Sequence, residues 1–274
     1  GLEDLAQQAE QFRSSKKPVV ALLLSTDDTP TSNLEVYLKL QLLSHRLVKP
    51  HQVNLKGIFG LMPNIAWTSQ GPIDIRELAE HQTQSRLAGQ ILEVFSVDKF
   101  PKLANYVVPS GVRIADTARV RLGAYLGEGT TIMHEGFVNF NAGTLGAGMV
   151  EGRISSGVLV GENSDLGGGS STMGTLSGGN TTIISVGREC LIGANAGIGV
   201  SLGDRCTVEA GLYVTGGTKL NVFDNKNNLV KTLKAAELSG MSDILFRRNS
   251  LSGAVEARCN KSAIKLNEEL HKNN

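Results

Sequence analysis

From Ile114 onward, aliphatic residues recur every six positions, through Ile114, Val120, Leu126, Ile132 and Val138. The series resumes at Ile154, Val160 and Leu166, then at Val186, Ile192 and Ile198, then at Leu202, Val208 and Val214. Glycine follows many of them, as in Leu126-Gly127, Val160-Gly161, Leu166-Gly167 and Ile192-Gly193. A period of six fits neither a 3.6-residue helix nor the two-residue alternation of a strand. It predicts a short flat strand plus a turn, repeated as a solenoid with the aliphatic side chain stacked inward on its neighbours. Three hexads close one triangular coil, so residues 108–220 hold about six coils. A β-sandwich would space its turns every ~8–12 residues instead.

Glycine usage supports this reading. Of 32 glycines in 274 residues, 25 fall between Val108 and Leu220. They serve tight corners, where a positive φ or close backbone approach is needed. The block lacks a Gly-X-Y period and is rich in Val, Ile and Leu, which excludes collagen and a disordered linker. The phase is lost at Thr144 to Val150 and at Gly168 to Ile183, predicting irregular turns or a small insertion there.

Residues 1–106 read as an ordinary α/β domain. Leu2 to Phe12 is helical in pattern, Pro18 to Leu24 reads as a buried strand, and Asn33 to Leu47 and Ile75 to Val94 read as helices. In the second helix Leu34, Tyr37, Leu38 and Leu42 share a face. Six of seven prolines precede residue 102 and the last is Pro109, which brackets the boundary to the solenoid at 107–220. Beyond Leu220, Asn221 to Lys231 is polar and loop-like, and Leu233 to Leu238 and Leu245 onward read as a cap within the C-terminal segment 221–274.

Charge and cysteine narrow the function. Lys+Arg 27 against Asp+Glu 26 leaves a net charge of +1, without the basic field of a nucleic-acid binder. Cys190, Cys206 and Cys259 are odd in number and lack C-x-x-C spacing, which argues against a disulfide framework or thiolate zinc site and fits a reducing compartment. The longest apolar run, Val19 to Leu24, is far short of the ~20 residues of a membrane span. No basic segment followed by an apolar core opens the chain, so a cytoplasmic location is expected. The chain begins with Gly rather than Met, so further residues are expected upstream.

Few residues can carry chemistry. Gly-Lys does not occur, so a P-loop is excluded, and His134-Glu135 fails as a zincin because position 138 is Val. Glu151, in Val150-Glu-Gly-Arg153, could take a proton from an attacking amine, with Arg153 tuning it or binding substrate. It reads equally as a solvated carboxylate paired with Arg153. Glu135 beside His134 reads more simply as a surface carboxylate. Gly167 to Gly174 offers backbone N–H groups and hydroxyls for an oxyanion or a pantetheine amide, or else is a flexible turn. Arg247-Arg248-Asn249-Ser250 pairs two guanidiniums suited to phosphate, or is a solvated basic turn.

Longer strings are more specific. Val108 to Asp116, Met133 to Gly146, Val150 to Ser155, Gly174 to Gly179, Val208 to Thr215 and Leu245 to Val255 together resemble tetrahydrodipicolinate N-succinyltransferase, and more narrowly the form found in actinobacteria. The resemblance covers roughly residues 105 to 270; the first third matches by position and α/β character alone. It implies a mainly β protein, a homotrimer of left-handed parallel β-helices, with small-molecule substrates bound in clefts between subunits. The implied reaction is succinyl transfer from succinyl-CoA to the amine of L-2-amino-6-oxopimelate, on the way to diaminopimelate and lysine.

Residue by residue, the resemblance makes Glu151 the catalytic carboxylate, as acyl-anhydride nucleophile or as base. The base is favoured, because an amine attacking a thioester must lose a proton and no histidine is assigned to take it. Arg153 becomes a succinyl-CoA ligand, and Gly174 a backbone donor to the thioester carbonyl. Gly168, Ser171, Ala194, Glu209, Ala210 and Gly217 line the acyl-CoA cleft. Lys234 and Arg247, Arg248, Asn249 and Ser250 reach the CoA phosphates. Glu135 matches a carboxylate that binds magnesium on the trimer axis, although the second axial carboxylate of some relatives is Ala118 here. Other hexapeptide acyltransferases use a histidine base, a hexapeptide carbonic anhydrase needs three histidine ligands, and only His134 lies within the repeat. A purely structural solenoid leaves the Arg247-Arg248 segment unexplained.

Overall fold

The computed structural model describes residues 2–174 and 183–260. Its centre is a three-sided parallel β-helix. Face one carries strands Arg113–Ile114, Thr130–Ile132, Gly148–Val150, Asp165–Leu166, Leu191–Ile192 and Thr207–Val208. Face two carries Phe137–Val138, Arg153–Ile154, Ser171–Thr172, Gly197–Gly199 and Tyr213–Thr215. Face three carries Tyr125–Leu126, Gly143–Thr144, Leu159–Val160 and Ser185–Val186. The six-residue period is the spacing between faces: Val120, Leu126, Ile132, Val138, Ile154, Val160, Ile192, Ile198, Val208 and Val214 are all fully buried in one core.

The coil lengths locate the irregularities. Arg113 pairs with Thr131 and Thr131 with Met149, a step of 18 residues each time. Phe137 pairs with Arg153 after 16 residues, and Ser171 with Gly197 after 26. The phase is not lost at Thr144 to Val150. Both residues point inward and are buried, with the Thr130 and Thr144 hydroxyls hydrogen-bonded at 2.7 Å. The slip falls one step later, at Glu151-Gly152. Likewise Thr172 keeps the phase after Leu166, buried and bonded to the Arg153 carbonyl at 3.0 Å, so the long coil gains its residues after Thr172. Residues 175–182 lie there, outside the described residues.

The N-terminal part docks on this solenoid. Helix Leu2–Phe12 forms where its pattern predicts. Helix Asn33–Ser44 is capped by Ser32, whose side chain accepts from the Glu35 N–H. Its buried face is Val36, Leu40 and Leu43, not the Leu34 side, because the helix lies against Phe140 and the Gly123 turn. Ser44 Oγ accepts from Gly123 N–H at 2.8 Å and donates to the Ala124 carbonyl at 3.2 Å. The predicted helix Ile75 to Val94 is shorter, Leu78–Leu87, because Gly89 takes a positive φ and the chain re-enters a sheet at Val94–Asp98. That sheet is antiparallel, with Ile65–Thr68 between Gly71–Asp74 and Val94–Asp98. Pro18 to Leu24 is not a strand. No strand pairs with it among the described residues, and Val20 and Leu23 are 60% and 93% exposed.

Asn221 to Lys231 also departs from expectation. Strands Lys219–Phe223 and Leu229–Lys234 form an antiparallel hairpin, in which Thr232 Oγ1 donates to the Asn221 side chain at 2.9 Å. Polar side chains suit a hairpin with one solvated face. The cap itself forms as predicted: Leu233, Ala235, Leu238, Ile244, Phe246 and Ala257 join the solenoid core. Strand Ile244–Arg248 extends face one in parallel with Thr207–Val208, and Val255–Cys259 turns back against it.

Candidate active site

The corner from face one to face two organises the site. Four residues make this turn at 133–136, 167–170, 193–196 and 209–212, but only Glu151 and Gly152 make it between Val150 and Arg153. The corner is therefore cut back at Glu151, leaving a notch between two longer turns. Gly152 is required there, because a Cβ would fall within 2.6 Å of the Ser170 carbonyl oxygen.

Above the notch runs one column. Val150 is in register with Leu166, Leu166 with Ile192, Ile192 with Val208, and Val208 with Phe246. The residues that follow these are Glu151, Gly167, Gly193, Glu209 and Arg247, and the next along are Gly152, Gly168, Ala194, Ala210 and Arg248. Glu151 and Arg247 thus stand four strands apart on one corner, ~19 Å at the usual strand spacing. Gly167, Gly168, Gly193, Ala194 and Ala210 keep the interval small apart from Glu209, and a Cβ on Gly167 or Gly193 would meet backbone of the next coil. The half-buried Glu151 carboxylate leans up this column, with Oε2 3.5 Å from where a Cβ on Gly168 would lie.

Glu151 does not pair with Arg153. Among the described residues neither side chain has a hydrogen-bond or ion-pair partner, and Arg153 is exposed on face two beside Ser171. Most N–H groups of 167–173 are engaged: Gly167, Ser170, Ser171 and Met173 donate to carbonyls at 2.8–2.9 Å. The Gly169 N–H is loosely held, at 3.4 Å from the Glu151 carbonyl, and the Gly168 N–H has no partner among the described residues. Gly174 lies at the far edge of face two, pressed against Ser155 and Ser156, about 10 Å along the face from the corner.

The C-terminal segment meets the top of the column. Glu209 accepts from the Arg248 backbone N–H at 2.7 Å. The Arg248 side chain is exposed, as is Ser250. Arg247 is partly committed, its Nε donating to Glu256 at 2.9 Å, and Asn249 donates to the other Glu256 oxygen at 2.9 Å. Burial pushes the Glu256 carboxyl up, but hydrogen bonds from Arg258, Asn249 and Arg247 outweigh it and hold the group at about 2. Gly217 and Lys234 are exposed at the far edge of face two, level with the C-terminal hairpin.

Comparison with known proteins decides the family. The chain is 67% identical over 273 residues to the 2,3,4,5-tetrahydropyridine-2,6-dicarboxylate N-succinyltransferase of Pseudomonas putida, covering 99% of this chain and 79% of that protein. The protein of the same name from Vibrio cholerae is 63% identical over 266 residues, with 97% and 78% covered. The chain belongs to the tetrahydrodipicolinate N-succinyltransferase family. A solved structure from Campylobacter jejuni, described as a 2,3,4,5-tetrahydropyridine-2-carboxylate N-succinyltransferase, is 44% identical with a TM-score of 0.82, covering 88% of this chain and 66% of that one. Two family models match: the hexapeptide repeat of succinyl-transferase at residues 183–216, and the tetrahydrodipicolinate N-succinyltransferase middle at residues 62–102.

As a tetrahydrodipicolinate N-succinyltransferase relative, the chain has the left-handed parallel β-helix of hexapeptide acyltransferases. The match at 62–102 covers the Ile65–Thr68 sheet, which showed no family signal in its residues because an antiparallel hairpin carries no long period. Sequence reasoning also missed the corner deletion at Glu151, whose only signal was the four-residue step from Val150 to Ile154. Among the described residues no helix is long and apolar enough to cross a membrane.

The magnesium assignment fits less well. Glu135 is exposed and bonded to Arg119 at 2.8 Å, with His134 Nδ1 at 3.2 Å from its other oxygen. Among the described residues no cluster of three His, Cys, Asp or Glu side chains could hold a metal. A single chain therefore offers one carboxylate, already neutralised by a guanidinium.

Proposed function

We propose that this chain, a CoA-dependent N-acyltransferase by family, transfers the succinyl group of succinyl-CoA to the amine of L-2-amino-6-oxopimelate, with Glu151 as the base. The observation that carries this reading is the single column from Glu151 to Arg247, small-residue in between apart from Glu209, and basic at its top. An extended CoA arm fits along it, thioester at the notch and phosphates toward Arg248. Gly168, Ala194, Glu209 and Ala210 line that path, and Ser171 and Arg153 flank it on face two.

In the reaction the amine attacks the thioester carbon as Glu151 takes its proton. A backbone N–H at Gly174 stabilises the oxyanion, and collapse expels CoA thiolate, which is reprotonated. Arg153, free of a carboxylate partner among the described residues, receives the succinyl carboxylate. Because Glu151 and Gly174 lie at opposite edges of face two, one chain does not place both on the same carbon. Two chains of a homotrimer, facing each other across a cleft, bring the corner of one to the far edge of the next, with Gly217 and Lys234. Three Glu135 carboxylates around an axis are the remaining way to hold magnesium, and no step is routed through it. The proposal also keeps the division into residues 1–106, 107–220 and 221–274, and a cytoplasmic location.

The test is CoA release with succinyl-CoA against acetyl-CoA, using the amino-oxopimelate or 2-aminopimelate as acceptor. Succinyl-CoA turning over well above acetyl-CoA is expected. Equal rates, or transfer only to an unrelated amine, overturn the reading.

A further inference from the structure

Three polar side chains without a protein partner share one outward column of face two. From bottom to top this column runs Phe137, Arg153, Ser171, Gly197 and Tyr213, in register. Among the described residues the Arg153 guanidinium, the Ser171 hydroxyl and the Tyr213 hydroxyl have no hydrogen-bond or ion-pair partner. Gly197 brings the top of the column down. A Cβ there would fall 2.5 and 2.6 Å from Cδ2 and Cζ of Tyr213, so the ring lies over this residue. Contact with Cζ as well as Cδ2 means that the ring axis runs down the column. It carries the hydroxyl from the Tyr213 strand to about the level of Gly197, next above Ser171. Tyr213 remains 44% exposed. No carboxylate stands in the column. The next guanidinium below, Arg121, lies 5.9 Å from the Phe137 ring and is neutralised by Asp98 at 2.7 Å. Arg153 is therefore the uncompensated charge of the column, with two hydroxyls above it.

We propose that Tyr213 sets acyl-chain specificity: its hydroxyl, with that of Ser171, hydrogen-bonds the succinyl carboxylate that Arg153 receives. This rests on the succinyl-transfer reading. Arg153 follows Glu151 by two residues, about 7 Å of chain, so a carboxylate here is one short acyl chain from a thioester at the notch. Arg153 alone, exposed to water, separates a charged acyl chain from an apolar one only weakly. Hydroxyls in fixed places sharpen the choice, because an acyl chain without the carboxylate leaves them unpaired. The Tyr213 ring is already seated on glycine, so little side-chain entropy is lost when the carboxylate binds.

The experiment measures CoA release by the full chain from succinyl-CoA and from butyryl-CoA, which replaces the carboxylate by a methyl group. Butyryl-CoA is also read as an inhibitor of succinyl transfer, so that its binding is measured where turnover is slow. Tyr213→Phe keeps the ring on Gly197 and removes only the hydroxyl. It is expected to lower kcat/KM for succinyl-CoA about tenfold. The butyryl-CoA values, KM for the amine acceptor and the melting temperature should stay as in wild type. Gly197→Ala, which keeps Tyr213 but lifts its ring, should repeat the selective loss. Equal loss with both donors in Tyr213→Phe, no loss, or a change confined to the acceptor overturns the assignment, while wild-type preference for succinyl-CoA upholds the transfer reading. Wild-type enzyme that releases CoA from both donors at equal rates overturns both.

Discussion

Glu209 and Arg248 are joined by a hydrogen bond of 2.7 Å from the Arg248 backbone N–H to the Glu209 carboxylate. That bond fixes the C-terminal strand at the top of the column that starts at Glu151, while the exposed Arg248 guanidinium has no side-chain partner among the described residues. Its neighbour Arg247 is anchored instead on Glu256, whose side chain is 3% exposed. The two arginines of one motif therefore do different work.

Arg248→Ala should raise KM for succinyl-CoA by about tenfold while leaving KM for the amine acceptor and the melting temperature unchanged. The defect should shrink with added salt, since charge attraction to phosphate is screened. Arg247→Ala should instead lower the melting temperature, because a buried carboxylate loses one of its donors. Equal KM effects on both substrates in Arg248→Ala would assign the segment to folding.

Glu256 also sets an acid limit. Its carboxyl is held at about 2 in the folded chain, against an ordinary value of 4.5. The unfolded chain binds the proton more tightly, so the stabilisation is complete above about pH 5 and is lost as pH falls from there toward 2. Melting temperature should decline over that window, and Glu256→Gln should flatten the decline while lowering stability at neutral pH. An unchanged acid slope in the variant would remove Glu256 from the titration.

Ser170 offers a change of opposite sign. Its hydroxyl is fully buried against Gly152 and has no partner among the described residues, whereas Ala196 and Leu212 occupy the same corner place in later coils. An unpaired buried hydroxyl costs ~1–3 kcal/mol. Ser170→Ala should therefore raise the melting temperature by about 2 °C or more. A fall would mean the hydroxyl is satisfied in solution.

The solenoid was legible because its inward residues must stack on one another, which writes a period of six into the chain. The notch was not, because Thr144 and Thr172 take inward places that aliphatic residues hold elsewhere. Their hydroxyls are satisfied across coils, Thr144 to Thr130 and Thr172 to the Arg153 carbonyl, so polar residues there cost little and hide the phase. The apparent break fell on Thr144 to Val150, and the true slip at Glu151-Gly152 stayed unread. Pro18 to Leu24 misled for the opposite reason: apolar composition marks a strand only where a partner edge exists. Glu151 itself was found through its motif, while the column linking it to Arg247 needed the register, which no local pattern contains.

Lengthening the short corner tests the notch directly. Two glycines inserted after Gly152 would restore the four-residue turn of the neighbouring coils. Coils contact chiefly their neighbours, so the fold should survive with a melting temperature within a few degrees of wild type. Turnover should fall by ~10² or more as Glu151 moves outward. Full activity in the insertion variant would show that the corner length is incidental.

Glu151 is the residue on which turnover should depend. A positioned base contributes ~10²–10⁴ in rate. With no Arg153 ion pair to lose, Glu151→Gln removes the charge at little structural cost, so assembly, melting temperature and CoA affinity should stay near wild type while kcat collapses. A surface carboxylate without a role would change stability by less than ~1 kcal/mol and leave kcat alone. Retention of most of kcat in Glu151→Gln would remove this residue from the mechanism. An inactive variant leaves two routes, separated by incubating wild-type enzyme with labelled succinyl-CoA and no acceptor. Direct attack by the amine forms no acyl-enzyme, so no label should remain on the protein after rapid denaturation and digestion. Label recovered on the peptide containing Glu151 would replace the base by an acyl-anhydride nucleophile.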